Sequence, residues 1–118
     1  MSGVSEKEIE NAMLRYLNMM PDCWAYKINN VGIYDPKKKT YRAVKNKFVL
    51  KGTPDILGIY KGKPLAIEVK GPRGKVSKEQ QDFLNKHKSM GGIGGVARNL
   101  NELREILNEH TNTEGIPE

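Results

Sequence analysis

The chain has 118 residues and carries 20 lysines and arginines against 14 acids, a net +6. At this length a single domain buries roughly two-thirds of its unfolded surface, so a core forms without disulfides. A single cysteine, Cys23, and two isolated histidines, His87 and His110, exclude an internal disulfide and leave no spacing for structural zinc. At 37% hydrophobic residues and a mean hydropathy of -0.64, no run approaches the ~18 apolar residues of a membrane helix. The start "MSGVSEKEIE" also lacks the apolar segment of a signal peptide. The expectation is a soluble, cytoplasmic protein.

Ser5 followed by Glu8 is a capping-box pattern, and Ile9, Ala12, Met13, Tyr16, Leu17 and Met20 follow at helical spacing before Pro21. This predicts a helix over residues 6–20. "WAYKIN" (24–29) reads as a strand, followed by a turn-rich basic stretch and a further strand around Tyr41 to Leu50. "DILGIY" and "LAIEVK" flank Lys61-Gly62-Lys63-Pro64 and should pair as an antiparallel hairpin. Ser77 with Gln80 opens a helix of about 13 residues that ends at Gly91-Gly92. "IGGVAR" (93–98) is a short strand, and Leu100, Leu103, Ile106 and Leu107 place a last helix at about 100–110 before a polar tail. The order α-β-β-β-α-β-α contains a β-α-β crossover, so the last strand should run parallel to the second hairpin strand. The fold class is α/β with a mixed central sheet flanked by helices.

The positive charge is concentrated in the middle of the chain. Residues 24–98 hold 17 of the lysines and arginines but five of the acids, a net +12, whereas 1–23 sum to -2 and 99–118 to -4. Such a basic belt suits a phosphate backbone. The candidate phosphate contacts are Lys37, Lys38, Lys39, Arg42, Lys45, Lys47, Arg73, Lys75 and Lys78, which would position DNA without reading its sequence. Trp24, Tyr26 and Tyr34 read as core or strand-edge residues in preference to base-stacking platforms, and His87 as a helix-face residue.

Within this basic segment Asp55 and Glu68 occupy matching positions of the hairpin. If Gly62 and Lys63 are the central turn residues, Asp55 lies opposite Lys70 and Leu57 opposite Glu68, and Asp55, Glu68 and Lys70 share one face. A shift by two residues puts Asp55 opposite Glu68 and keeps that face, whereas a change of parity loses it. Two converging carboxylates suit Mg²⁺ or Mn²⁺, which supports phosphodiester hydrolysis. Lys70 would act beside the attacking water, as a base or as a cation. The ordinary alternative is an exposed E-x-K ribbon. The apolar neighbours at strand positions argue against it, because a buried charge needs a partner.

"TPD" (53–55), then "EVK" (68–70) after twelve residues, on a hairpin preceded by a Glu-bearing helix, resembles the PD-(D/E)xK nuclease superfamily. The run "GTPDILGIYKGKPLAIEVKGPRGKVSKEQQDFLNKHKSMGG" resembles the VRR-NUC family, the virus-type replication and repair nucleases, in a stand-alone form as found in phages. The resemblance implies a restriction-endonuclease-like fold, with residues 1–110 a single nuclease domain and 111–118 a disordered tail. It implies that Asp55, Glu68 and the backbone carbonyl of Val69 bind the metal, that Lys70 is the catalytic lysine and that Gln80 lies near the site. It also implies an acid from the first helix. Glu6 matches the glutamate opening the family's E-x-x-I start, and Glu10, one turn on, is the alternative.

The expected function is that of a Mg²⁺- or Mn²⁺-dependent endodeoxyribonuclease. By resemblance to Holliday-junction resolvases it would be a homodimer cutting branched DNA, acting in the host cytoplasm if phage-encoded. A nickase, a flap- or end-processing nuclease, or a non-catalytic nucleic-acid-binding module of the same fold are the alternatives.

Overall fold

The computed structural model describes residues 5–28, 33–35, 37–38, 40–42 and 51–115. Helix α1 (Glu6–Asn18) starts at the Ser5 cap: the Ser5 hydroxyl accepts from the Glu8 amide at 3.1 Å, and the Glu8 carboxylate reaches back to the Ser5 amide. Strand β1 (Cys23–Lys27) follows, then short strands β2 (Ile33–Asp35) and β3 (Thr40–Arg42), the hairpin β4 (Ile56–Tyr60) and β5 (Lys63–Val69), helix α2 (Lys78–Ser89), strand β6 (Ile93–Ala97) and helix α3 (Leu100–Gly115).

The main sheet has the order β1-β4-β5-β6. Its first three strands are antiparallel, and β6 runs parallel to β5 as the crossover demands. The α-β-β-β-α-β-α core is thus met by β1, β4 and β5 before α2. Strands β2 and β3 form a separate two-stranded sheet. This differs from the single strand expected around Tyr41 to Leu50, whose later part, 43–50, lies outside the described residues.

One face of the sheet packs Ala25, Ile56, Tyr60, Leu65, Ile67, Val69, Ile93 and Ala97 against Met13 and Leu17 of α1 and Leu103 and Leu107 of α3. The other face takes α2. A methyl group at Gly94 would meet Leu84 and His87 of α2, whereas one at Gly95 would meet Ile106 of α3. His87 ties α2 to the sheet, its Nε2 lying 3.1 Å from the carbonyl oxygens of both Pro64 and Ile93. Since both partners are acceptors, Nε2 carries the hydrogen. Trp24 and Tyr26 lie on the edge strand β1 with rings 4.9 Å apart, Trp24 being 63% exposed. The edge is also covered locally, because the Asn18 amide bonds both the N–H and the C=O of Ala25, each at 2.9 Å.

Two expectations are corrected here. The hairpin pairs Tyr60 with Lys63 and Ile56 with Ile67, so the central turn residues are Lys61 and Gly62, not Gly62 and Lys63. Both have positive φ, 51° and 81°. That is the geometry in which a two-residue loop matches the twist of its strands, with glycine in the second place. Asp55 therefore falls opposite Glu68, two residues from the expected partner and with the same parity. Helix α3 also runs on to Gly115, past the expected end at 110 and into the expected disordered tail of 111–118. No glycine or proline interrupts it before Gly115 and Pro117. Among the described residues no helix is long and apolar enough to cross a membrane.

Candidate active site

The β4-β5 ladder ends at Ile56 and Ile67. Just beyond it Asp55 Oδ2 accepts from the Val69 amide at 2.9 Å, so the side chain takes over a backbone donor where the strands part. This holds the Asp55 carboxylate next to Glu68. Thr53-Pro54-Asp55 is itself pinned from behind. Gly52 sits at φ 77° against α2, and a Cβ there would come within 2.4 Å of the Glu79 backbone, so only glycine fits the approach.

Glu68 is 2% exposed, on the face that α2 covers. Its Oε1 accepts from Gln80 Nε2 at 3.2 Å, and its Oε2 is buried with no hydrogen-bond partner. Asp55 can bond to it only through a shared proton, because two ionised carboxylates offer no donor. Burial, then the hydrogen bond and the charge of Asp55, push the Glu68 carboxyl up to about 8 from an ordinary 4.5, with Glu6 adding and Lys70 opposing. Gln80 serves twice, since its carbonyl oxygen also accepts from the Ser77 amide at 2.9 Å in the α2 capping box.

Helix α1 approaches the same end of the sheet from the opposite face. Glu6 Oε2 accepts from the Gly71 amide at 3.1 Å, whereas Glu10 is 5% exposed and its carboxylate meets Lys27 Nζ at 2.8 Å. The two glutamates of the sequence reading thus have different partners. Glu6 caps the strand exit, and Glu10 is held in an ion pair. Lys27 was not singled out by the sequence reading. Its pairing opposite Ile56 brings it beside Asp55, and no local pattern in "WAYKIN" signals that. Arg98 is a second such residue, donating from its guanidinium to the Gly71 carbonyl at 2.6 Å and fixing the loop after β5. Val69 is fully buried at the end of β5, and Lys70 follows it with its amide on the Ala97 carbonyl.

The donor set fits a divalent cation. Two carboxylates lie side by side, one with a buried oxygen that finds no donor except a proton shared with Asp55, which is the environment a hard cation resolves. Among the described residues no group of three or more His, Cys, Asp or Glu side chains could hold a metal ion. Further donors would be backbone carbonyl or water, as is usual for Mg²⁺.

Of the candidate phosphate contacts, Lys37 and Lys38 are exposed between β2 and β3, and Arg42 lies on β3. Arg73 and Lys75 are exposed in the loop after β5. Lys78 forms an exposed ion pair with Asp82 at 2.7 Å. Lys39, Lys45 and Lys47 lie outside the described residues.

The family model for the VRR-NUC domain matches residues 26–99, which run from the end of β1 through β6 and include both hairpin carboxylates. No curated protein matches the chain.

Proposed function

Because the chain belongs to the VRR-NUC domain family, nucleases of the PD-(D/E)xK type that act on DNA and generally depend on divalent metal, we propose that it is a Mg²⁺- or Mn²⁺-dependent endodeoxyribonuclease with its site at Asp55, Glu68 and Lys70. The observation that carries this reading is Glu68 Oε2, buried and unsatisfied beside a second carboxylate. In the hydrolysis a water oxygen bonds to phosphorus while the bond from phosphorus to the leaving sugar oxygen breaks. The proton lost by the water is balanced by one gained at the leaving oxygen. Asp55, Glu68 and the Val69 carbonyl would hold the ion, which when bound stabilises charge on the phosphate and makes water more acidic.

The remaining roles belong to the chain's own groups. The Val69 amide orients Asp55, Gln80 orients Glu68, and the Gly71 amide holds Glu6. Lys70 follows Glu68 by two residues and offsets part of its charge, and it offers an ammonium to the phosphate. The exposed Arg73 and Lys75 extend this positive edge.

For substrate, the reading is a homodimer cutting branched DNA, resting on the basic middle segment of the chain and the resemblance to junction resolvases. Two sites related by a two-fold axis suit paired incisions. The test is cleavage of four-way junction, flap, nicked and linear duplex DNA with Mg²⁺, Mn²⁺ or chelator, beside Asp55→Ala and Lys70→Ala. Metal-dependent junction cleavage lost in Asp55→Ala is expected. No cleavage of any branched DNA, with Lys70→Ala binding DNA as well as wild type, would remove the enzyme reading. A monomer at micromolar concentration, or equal cutting of linear duplex, would remove the resolvase refinement.

A further inference from the structure

The end of the sheet that carries Asp55 holds more charge than the carboxylate pair needs. Glu6, Lys7, Glu10, Lys27 and Asp55 line one cleft of about 280 Å³. Within it Glu10 is buried, and Lys27 supplies its counter-charge at 2.8 Å. Lys27 ends the edge strand and pairs with Ile56, so it stands one residue from Asp55 across the ladder. Asp55 also adds to the field that favours the charged lysine, after the larger contribution of Glu10. In two-ion phosphodiester hydrolysis a second cation sits a few ångströms from the first and shares a ligand with it. Here Asp55 and the first-helix carboxylate of Glu10 line one cleft, and the Lys27 ammonium lines it with them, paired to Glu10.

We propose that Lys27 is a built-in cation that takes the place of a second divalent ion between Glu10 and Asp55, so that each chain binds one divalent ion and not two. This rests on the metal-dependent reading of Asp55 and Glu68. Charge balance supports it. With Glu68 ionised, as ion binding requires, the four carboxylates Glu6, Glu10, Asp55 and Glu68 share this end of the sheet with the ammonium groups of Lys7, Lys27 and Lys70, and one divalent ion already outweighs the remaining negative charge. A second would leave an excess positive charge beside an already paired Glu10. Lys27 is therefore a positioning residue. It fixes Glu10 through the 2.8 Å pair and sets the ion count, its side chain half exposed at the cleft.

The experiment counts Mn²⁺ bound per chain, by calorimetry and by the electron paramagnetic resonance of free Mn²⁺, for wild type, Lys27→Arg, Lys27→Ala and Lys27→Gln. One ion is expected in wild type and in Lys27→Arg, which keeps the charge. Two are expected in Lys27→Ala and in Lys27→Gln, which frees Glu10 of its counter-charge yet leaves it a hydrogen-bond donor. Two ions in wild type would overturn the proposal without any variant, and so would a single ion in folded Lys27→Gln. Wild type binding no Mn²⁺ would sink the metal reading of Asp55 and Glu68 and this inference with it, an outcome distinct from a count of two.

Discussion

The Gln80 side chain donates to Glu68 at 3.2 Å while its carbonyl oxygen closes the Ser77 capping box at 2.9 Å. One amide thus joins the start of α2 to the least accessible carboxylate of the site. A glutamate at position 80 would also complete a capping box, but it has no N–H to give Glu68. The hydrogen bond to Glu68 therefore requires a glutamine where the helix start alone does not.

Separating these two roles is the first test. Gln80→Ala should cost roughly 1–2 kcal/mol, the loss of one cap bond and one half-buried hydrogen bond, measured by urea denaturation. Gln80→Glu should keep the helix start and instead set a third negative group against Glu68. Its signature is a Glu68 carboxyl titrating above its present position and weaker Mn²⁺ binding at neutral pH, followed by side-chain NMR and calorimetry.

The Glu68 carboxyl lies at about 8 in the fold against 4.5 ordinarily. Between these values the folded state holds a proton that the unfolded state has lost, so this group's contribution is full below about 4.5 and is lost as pH rises toward 8. Metal-free protein should accordingly melt at a lower temperature at pH 8.5 than at pH 6. Divalent ions select the ionised form, so Mn²⁺ affinity should climb with pH across the same window, about tenfold per unit while one proton is displaced.

Glu68→Gln provides the opposing case. The amide is neutral, keeps an oxygen for Gln80 and offers Asp55 a donor that the carboxylate lacks. In metal-free protein at pH 8.5 it should be more stable than wild type by roughly 1–3 kcal/mol. It should also flatten the pH dependence of melting. DNA cleavage by the same variant should fall by at least about 100-fold, since the charge that holds the ion is gone.

The hairpin turn offers a test of register. Lys61 is the one non-glycine among the described residues at positive φ, and Gly62 follows it at 81°. Lys61→Asn should stabilise the fold by roughly 0.5–1 kcal/mol, because asparagine tolerates this conformation better than lysine. Gly62→Ala should cost about 1 kcal/mol although its Cβ would meet no atom. Thermal melts measure both, and cross-strand contacts between Tyr60 and Lys63 report whether the pairing persists.

Much of this protein was determined within short windows of its sequence. The Ser5-Glu8 and Ser77-Gln80 boxes set two helix starts, and β-rich runs about a turn signal set the hairpin. The strict alternation of side chains put Asp55 on the face of Glu68 for any register of that parity. Each of these depends on residues within a few positions of one another, so it can be read before the chain folds.

Only the tertiary structure decided the remainder. The positive φ of Lys61 and Gly62 placed Asp55 opposite Glu68 and not Lys70. Glu6 went to the Gly71 amide, 65 residues away, and Glu10 to Lys27, 17 residues away across the sheet edge. Two glutamates one turn apart on the same helix look alike in sequence. Their roles diverge because a charged side chain is defined by what lies against it, and those partners arrive from segments that meet only when the sheet forms.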